Sequence, residues 1–393
     1  MKLDIIELEH SNLEKDFKLF LTVGFMYGIA NGIYLTTFNN FLSDVYHLSA
    51  QSRGMLELPR EIPGVLIFLV LTLISFLGDI RMAAIGMLLS ALGMIGIGLF
   101  SKTYAVMLGW MMMVSLGTHI FMPLAPGIGM RLSQKKNYGM RLGQFNAYSL
   151  AATIIGYAIV WFGFKFFSFD YIKIFLISAF FFVLSALILG LINHQKPNIK
   201  KVQFILRKKY ILYYCLSIVN GARKQIFLTF APWVLIQSYQ LDPTHFAILG
   251  LIISTFSIIT RTIVGNAIDF KGERFVLSLE AILLIIICMG YAFAADVAPM
   301  NIAMFIIIIC YILDNSMSAV EMARSTYVKK IAVHPDDVTP TLSAGISFDH
   351  VIAMSIPLFG GILWASFGYK YVFLCAAGIA LINLILSLRI KIE

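Results

Sequence analysis

Charge is what this chain has least of. Only 13% of its 393 residues are Asp, Glu, Lys or Arg, against 59% hydrophobic residues and a mean hydropathy of +0.85. A soluble fold of this length has no use for so much apolar surface. Cysteine is scarce too: Cys215, Cys288, Cys310 and Cys375 each fall in an apolar run without metal-ligand spacing, which argues against a disulfide framework or a zinc site. No G-x-S-x-G, H-E-x-x-H or Walker pattern occurs, so neither an intramembrane enzyme nor ATP coupling finds a motif to stand on, and no metal or cofactor is expected. The first 16 residues, MKLDIIELEHSNLEKD, mix acids and bases and lack an apolar centre, so they read as a short cytoplasmic tail and not as a cleavable signal.

What the chain has instead is apolar runs. A helical span needs about 20 apolar residues to cross roughly 30 Å of hydrocarbon. Twelve runs meet that need, at 17–42, 55–77, 83–100, 104–129, 143–166, 172–193, 211–237, 245–264, 275–294, 301–323, 341–366 and 370–389. Lipid leaves every backbone polar group to be satisfied within the protein, and runs this long without strict alternation are helices. The expected fold class is an all-α polytopic membrane protein with twelve transmembrane helices, the lipid bilayer being its surroundings.

The basic residues set an orientation. With both termini in the cytoplasm, that side holds Arg81, Arg131, Lys135, Lys136, Arg141, Lys196, Lys200, Lys201, Arg207, Lys208, Lys209, Lys271, Arg274, Arg324, Lys329, Lys330, Arg389 and Lys391. The outer loops keep only Arg53, Lys102, Lys165, Lys173 and Lys370, as the positive-inside rule requires. The net charge of +9 is then accounted for by loops facing anionic headgroups, and no nucleic-acid partner is implied. No N-x-S/T sequon occurs, which is compatible with a bacterial inner membrane.

The longest charged connector, HQKPNIKKVQFILRKK at 194–209, follows the sixth run. It divides the chain into an N-terminal six-helix bundle (1–193), a basic cytoplasmic linker (194–210) and a C-terminal six-helix bundle (211–393). The halves echo one another: IANGIYLTTF at 29–38 and IVNGARKQIFLTF at 218–230 carry the pairs Asn31-Gly32 and Asn220-Gly221, and the loop after the second helix of each half carries an acid, Asp79 or Asp269. In the second of those loops, GNAIDFKGER at 265–274, the residues Gly265, Asp269, Gly272 and Arg274 form a pattern that resembles the G-x-x-x-D-R-x-G-R-R signature of the major facilitator superfamily. Phe270 and Glu273 stand where that signature has basic residues, and the first-half loop keeps Gly78, Asp79 and a displaced Arg81 but has Ser75, Met82 and Ala84 at other motif positions.

With its twelve runs and 6+6 division, the chain resembles that superfamily over nearly its whole length. The resemblance implies two pseudo-symmetric six-helix bundles that rock about a central site near the midplane, with the first, fourth, seventh and tenth helices lining the cavity. It also implies that Gly265, Asp269, Gly272 and Arg274, with Asp79, form a conformational latch. Glycines let helix ends approach, and an aspartate can cap a helix N-terminus or pair with an arginine when the cytoplasmic side closes. A solvated turn with ordinary terminal charges is the alternative.

Depth singles out the remaining charges. At 1.5 Å per residue, Arg223 and Lys224 lie about 20 Å from either end of their run, too deep to snorkel. A charge there costs on the order of 3 kcal/mol and needs a partner, a wet cavity or an anionic ligand. With Asn220 and Gln225 they are the substrate-binding candidates; a structural salt bridge is the competing reading. Asp314 in YILDNSMSAVEMAR is similarly central, and Asp349 and His350 in SFDHVIAMSIPLFGG fall toward the cytoplasmic entrance, because the uncharged run after them is about 28 Å long. These three are the candidates for proton coupling. In LELPREIPGVL, Glu57, Arg60 and Glu61 are expected just inside the outer boundary, as a gate or salt-bridge cluster. Glu280, in the ninth run, finds no role. The expected function is secondary active transport of a small solute by alternating access, the expected partners being a proton or other coupling ion and a substrate with an anionic or carboxylate group, in a monomer. A lipid-moving protein or membrane sensor on the same fold is the alternative.

Overall fold

The computed structural model describes residues 2–133, 138–193, 207–334 and 337–391; Lys135, Lys136, Lys196, Lys200, Lys201 and most of the basic linker lie outside them. The described chain is helical from end to end: α1 (Lys2–Tyr46), α2 (Ala50–Ile74), α3 (Asp79–Leu99), α4 (Tyr104–Arg131), α5 (Tyr138–Phe166), α6 (Tyr171–Leu191), α7 (Ile211–Tyr239), α8 (Pro243–Val297), α9 (Met300–Ser316), α10 (Glu321–Ile331), α11 (Val338–Phe367) and α12 (Tyr369–Leu388). Among the described residues, nine helices are long and apolar enough to cross a membrane, or ten if the two parts of α2, bent by 47°, form one span. That count takes α8 as one helix, although its backbone leaves the helical region at Gly272 (φ 79°), and it omits α7, which is too polar to qualify. It also joins α9 and α10 into one span, Met300–Ile331, across a 3-10 turn at Met317–Val320. The twelve expected spans are thereby accounted for.

Chain breaks follow local chemistry. Asp170 caps α6 by accepting from the Lys173 N–H at 2.8 Å, and Thr103 caps α4. At Gly78, Gly272 and Gly368 the chain turns from one helix into the next with φ of 80°, 79° and 92°, a left-handed conformation that glycine alone adopts cheaply.

The residues group into two compact units, Met1–Phe41 with Ile62–Lys200 and Pro243–Gly250, and Leu42–Glu61 with Lys201–Asp242 and Leu251–Glu393. In the first, α1 lies almost backbone to backbone on α5: a methyl at Gly28 would stand 2.2 Å from the Ser149 carbonyl and one at Gly32 2.6 Å from that of Thr153. Ser178 and Ser185 of α6 hydrogen-bond the α1 carbonyls of Ala30 and Val23 at 2.9 and 3.4 Å. The second unit repeats the device between α7 and α11. Gly221 faces Asp349 and Gly345 faces Tyr213, while Tyr291 and Phe373 stack at 4.2 Å to bring in α12. The paired Asn-Gly steps of the sequence thus mark equivalent close contacts, Gly32 on α5 and Gly221 on α11. Pro357 and Gly361 give α11 a second close approach, to Gly54 and Ala50 in the first turns of α2.

Candidate functional site

Arg223, Lys224 and Gln225 are consecutive on α7, and at 3.6 residues per turn their side chains diverge by about 100° each. Each therefore reaches a different helix. Arg223 donates from Nη1 to Asp314 Oδ1 on α9 at 2.5 Å and from Nη2 to Asn220 Oδ1, one turn back, at 3.3 Å. Lys224 Nζ pairs with Asp349 Oδ2 on α11 at 2.5 Å. Gln225 donates to Glu57 Oε2 on α2 at 2.8 Å.

These contacts extend into two polar chains. On one side Asn220 Oδ1 also accepts from Arg324 Nη2 at 2.9 Å, and that guanidinium pairs with Glu280 on α8 at 2.7 Å and with the exposed Glu321 at 3.1 Å. The 3-10 turn between α9 and α10 lies between Asp314 and Arg324, and Asn220 links the two sides of that break, to Arg324 directly and to Asp314 through Arg223. On the other side Glu57 is completely buried between Arg53, with which it forms a short ion pair, and Arg60 at 2.6 Å. Arg60 reaches Glu61 at 3.2 Å, and Glu61 Oε2 lies 3.0 Å from His350 Nδ1. The cations Arg53, Arg60, Arg223, Lys224 and Arg324 are thus matched by the acids Glu57, Glu61, Glu280, Asp314 and Asp349. Buried charges survive in apolar surroundings only when paired in this way.

The chain matches the family model of the Major Facilitator Superfamily over residues 20–344. It belongs to that superfamily. No curated protein matches the sequence significantly. Among solved structures, the superfamily fold aligns with the nucleoside transporter NupG (TM-score 0.75, 15% identity, 95% of this chain and 100% of that one). It aligns with the xylose transporter XylE from E. coli (0.70, 13% identity, 97% of each chain) and with a bacterial homologue of the iron transporter ferroportin in an inward-facing state (0.75, 11% identity, 95% and 98%). At these identities the likeness is one of fold.

In this superfamily member the motif residues divide. Gly272 makes the turn inside α8, and Gly78 makes the same turn before α3, with nearly the same φ. Aligning the two glycines sets Asp79 opposite Glu273, not opposite Asp269. The pairing agrees: Asp79 meets Arg131 at the end of α4 at 2.9 Å, and the fully buried Glu273 meets Lys330 at the end of α10 at 2.8 Å. Asp269 and Arg274 are exposed, and Gly265 has open space around it.

Three further placements differ from the sequence expectation. Asp349 and His350 were assigned to the inner entrance and Glu61 to the outer boundary, yet His350 and Glu61 touch. The reason is length: α11 has 30 residues, about 45 Å of helix, so its uncharged run is not confined to hydrocarbon. Arg53 and Arg324, counted as loop charges, are buried in the two polar chains. Glu280, which had no role, is the partner of Arg324. An intramembrane acid without a neighbour in sequence is the signal that a remote cation must meet it.

Proposed function

We propose that this protein is a secondary active transporter, and not an enzyme, which moves a small solute with an anionic or carboxylate group by alternating access and couples that movement to protons. It works as a monomer in a bacterial inner membrane with both termini cytoplasmic. The observation that carries the reading is the pairing of each mid-helix cation on α7 with an acid from another helix. A proton on Asp314 or Asp349 discharges the acid and leaves Arg223 or Lys224 to an anionic substrate; Asn220 and Gln225 orient the two ends of the site. His350, beside Glu61, offers a second proton acceptor. Glu57, Arg60 and Glu61 act as the gate, since Gln225 ties Glu57 to α7 and His350 ties Glu61 to α11. Gly265, Asp269, Gly272, Arg274 and Asp79 act as the latch, with Glu273 and Lys330 supplying its paired acid and base in the second half.

The test is uptake of labelled solutes into proteoliposomes with and without an inward proton gradient. Gradient-driven uptake lost in both Arg223→Gln and Lys224→Gln supports the reading. Unchanged transport in both variants refutes the site, and lipid movement without solute flux refutes solute transport.

A further inference from the structure

We infer that Lys224 and Asp349 form an exchange pair: a monocarboxylate solute replaces Asp349 on the Lys224 ammonium, and the displaced Asp349 is neutralised by one proton from solution. The inference rests on the transporter reading above and gives it a substrate class and a stoichiometry of one proton per anion, with no net charge moved.

Accessibility selects this pair. The Lys224 side chain is 42% exposed and that of Asp349 18%, against 10% and 9% for Arg223 and Asp314, and 2% and 1% for Arg324 and Glu280. Of the charges that α7 brings together with an acid, Lys224 is the one with free surface left for a ligand.

The seat of Asp349 is built for one oxygen only. Oδ2 takes Lys224, while Oδ1 is buried with no hydrogen-bond partner among the described residues. Oδ1 lies flush against the backbone of Gly221, where a methyl group would stand 2.1 Å from it. A carboxylate already lacking half its partners, once it loses its cation, is left as a half-buried charge with one oxygen sealed from any donor. A proton removes that charge, so exchange and protonation go together.

The surrounding groups leave the proton to Asp349. From α7 it faces Lys224; Arg223 on the same helix is turned to Asp314 and Asn220. His350, next to it on α11, is directed to Glu61 of α2, and Glu57 of α2 is held by Arg53, Arg60 and Gln225. Substrate charge follows from the same census. Lysine offers one compact positive charge with three donors, which matches one carboxylate. A dianion would bring a second negative charge into a site whose other cations are already matched, and a neutral or cationic solute could not take the place of Asp349.

The test uses the full chain in proteoliposomes holding a trapped pH dye, with L-lactate and benzoate as monocarboxylate probes, succinate as a dianion, lactamide as a neutral analogue and alanine as a zwitterion. The expected result is uptake of lactate or benzoate with one proton each, unchanged when the membrane potential is clamped. Lys224→Gln should lower it at least tenfold. Asp349→Asn should abolish proton-driven uptake yet retain exchange of internal for external anion, because the loaded carrier is neutral and the empty one carries an unmatched lysine. Monocarboxylate uptake that carries current, or that moves no proton, overturns the inference. Should Lys224→Gln not fold, the stoichiometry of the unaltered chain decides. Transport of succinate, lactamide or alanine alone, if lost in Arg223→Gln, leaves the transporter reading standing and refutes the exchange pair. If no probe moves, the exchange pair is refuted, and the transporter reading is decided by uptake of the wider set of labelled solutes.

Discussion

Replacing Glu280 with glutamine should be among the most damaging single changes outside the helix seams. Its carboxylate is buried and lies 2.7 Å from Arg324, where an effective dielectric constant of about 20 gives an attraction of about 6 kcal/mol before desolvation is subtracted. Removing one partner of such a pair strands the other charge, at a cost of about 3–5 kcal/mol. Little offsets this. Arg324 keeps Glu321, but that acid is 59% exposed and such a pair contributes less than about 1 kcal/mol. The Asn220 amide oxygen is already shared with Arg223. Glu280→Gln should therefore lose about 3 kcal/mol or more of unfolding free energy, measured by equilibrium unfolding in mixed micelles. Arg324→Gln should lose a similar amount. The double variant removes both charges and should lose only about 3 kcal/mol, no more than either single change, a coupling at the upper end of what contacting residues show. A Glu280→Gln protein within about 1 kcal/mol of the parent, or a double variant as unstable as the two losses added, would refute the view that these two charges depend on one another, Arg223 at 4.0 Å from Glu280 being the more distant cation.

Two other outcomes can be checked directly. Gly221→Ala places a methyl 2.1 Å from Asp349 Oδ1 and should cost about 1–3 kcal/mol by overpacking; Gly265→Ala, with open space around it, should change stability little, and equal effects would dismiss the seam between α7 and α11. The Tyr210 hydroxyl donates to Asp337 at 2.6 Å, and this bond, with Arg207 nearby, holds the Asp337 carboxyl below its ordinary range, while burial raises the Tyr210 phenol. A carboxyl lowered on folding stabilises the protein fully above its unfolded pKa, about 3.9, and that contribution is lost as the pH falls through the folded value. Tyr210→Phe should thus be less stable than the parent at pH 7, and the gap in thermal unfolding should narrow below about pH 4 to what the Val333 N–H, which donates to the same hydroxyl at 2.9 Å, loses at every pH; a gap of the same size in acid would show that the bond to Asp337 is not the source.

Most of the fold was legible in the sequence because a span announces itself by length and apolarity alone. The superfamily could be read from the same runs and from a single loop, GNAIDFKGER. The site was only half legible. Arg223 and Lys224 stood out because a bilayer makes any mid-span charge conspicuous, but depth says nothing of partners. Arg324 looked like one of the basic residues around the turn after the tenth span; a break at Met317–Val320 followed by the short helix α10 carries it inside instead. Asp269 drew attention through its place in the motif, whereas the acid that pairs is Glu273, which the motif marked as a departure. Matching Gly78 with Gly272 would have found it, since backbone geometry at those turns is dictated by glycine and the acid follows it directly in both halves.

A polar cluster serves transport only if some of its pairs open in each cycle while others hold. The three pairs that α7 touches or borders differ in this respect. Arg324 and Glu280 are sealed, Arg223 and Asp314 nearly so, and Lys224 and Asp349 are the most exposed of the three. Asn220 connects the first two, because its one side-chain oxygen accepts from Arg223 of α7, which holds Asp314 of α9, and from Arg324 of α10. An amide oxygen held from two sides fixes the spacing of its donors. On the proposed exchange, a movement of α7 that follows the opening of the Lys224 pair would displace Arg223 and Arg324 together, and with them the two halves of the tenth span. The sealed pairs would then be the lever and the open pair the point at which force enters. In that case Asn220→Ala should slow turnover by more than it weakens substrate binding, whereas Lys224→Gln should act chiefly on binding.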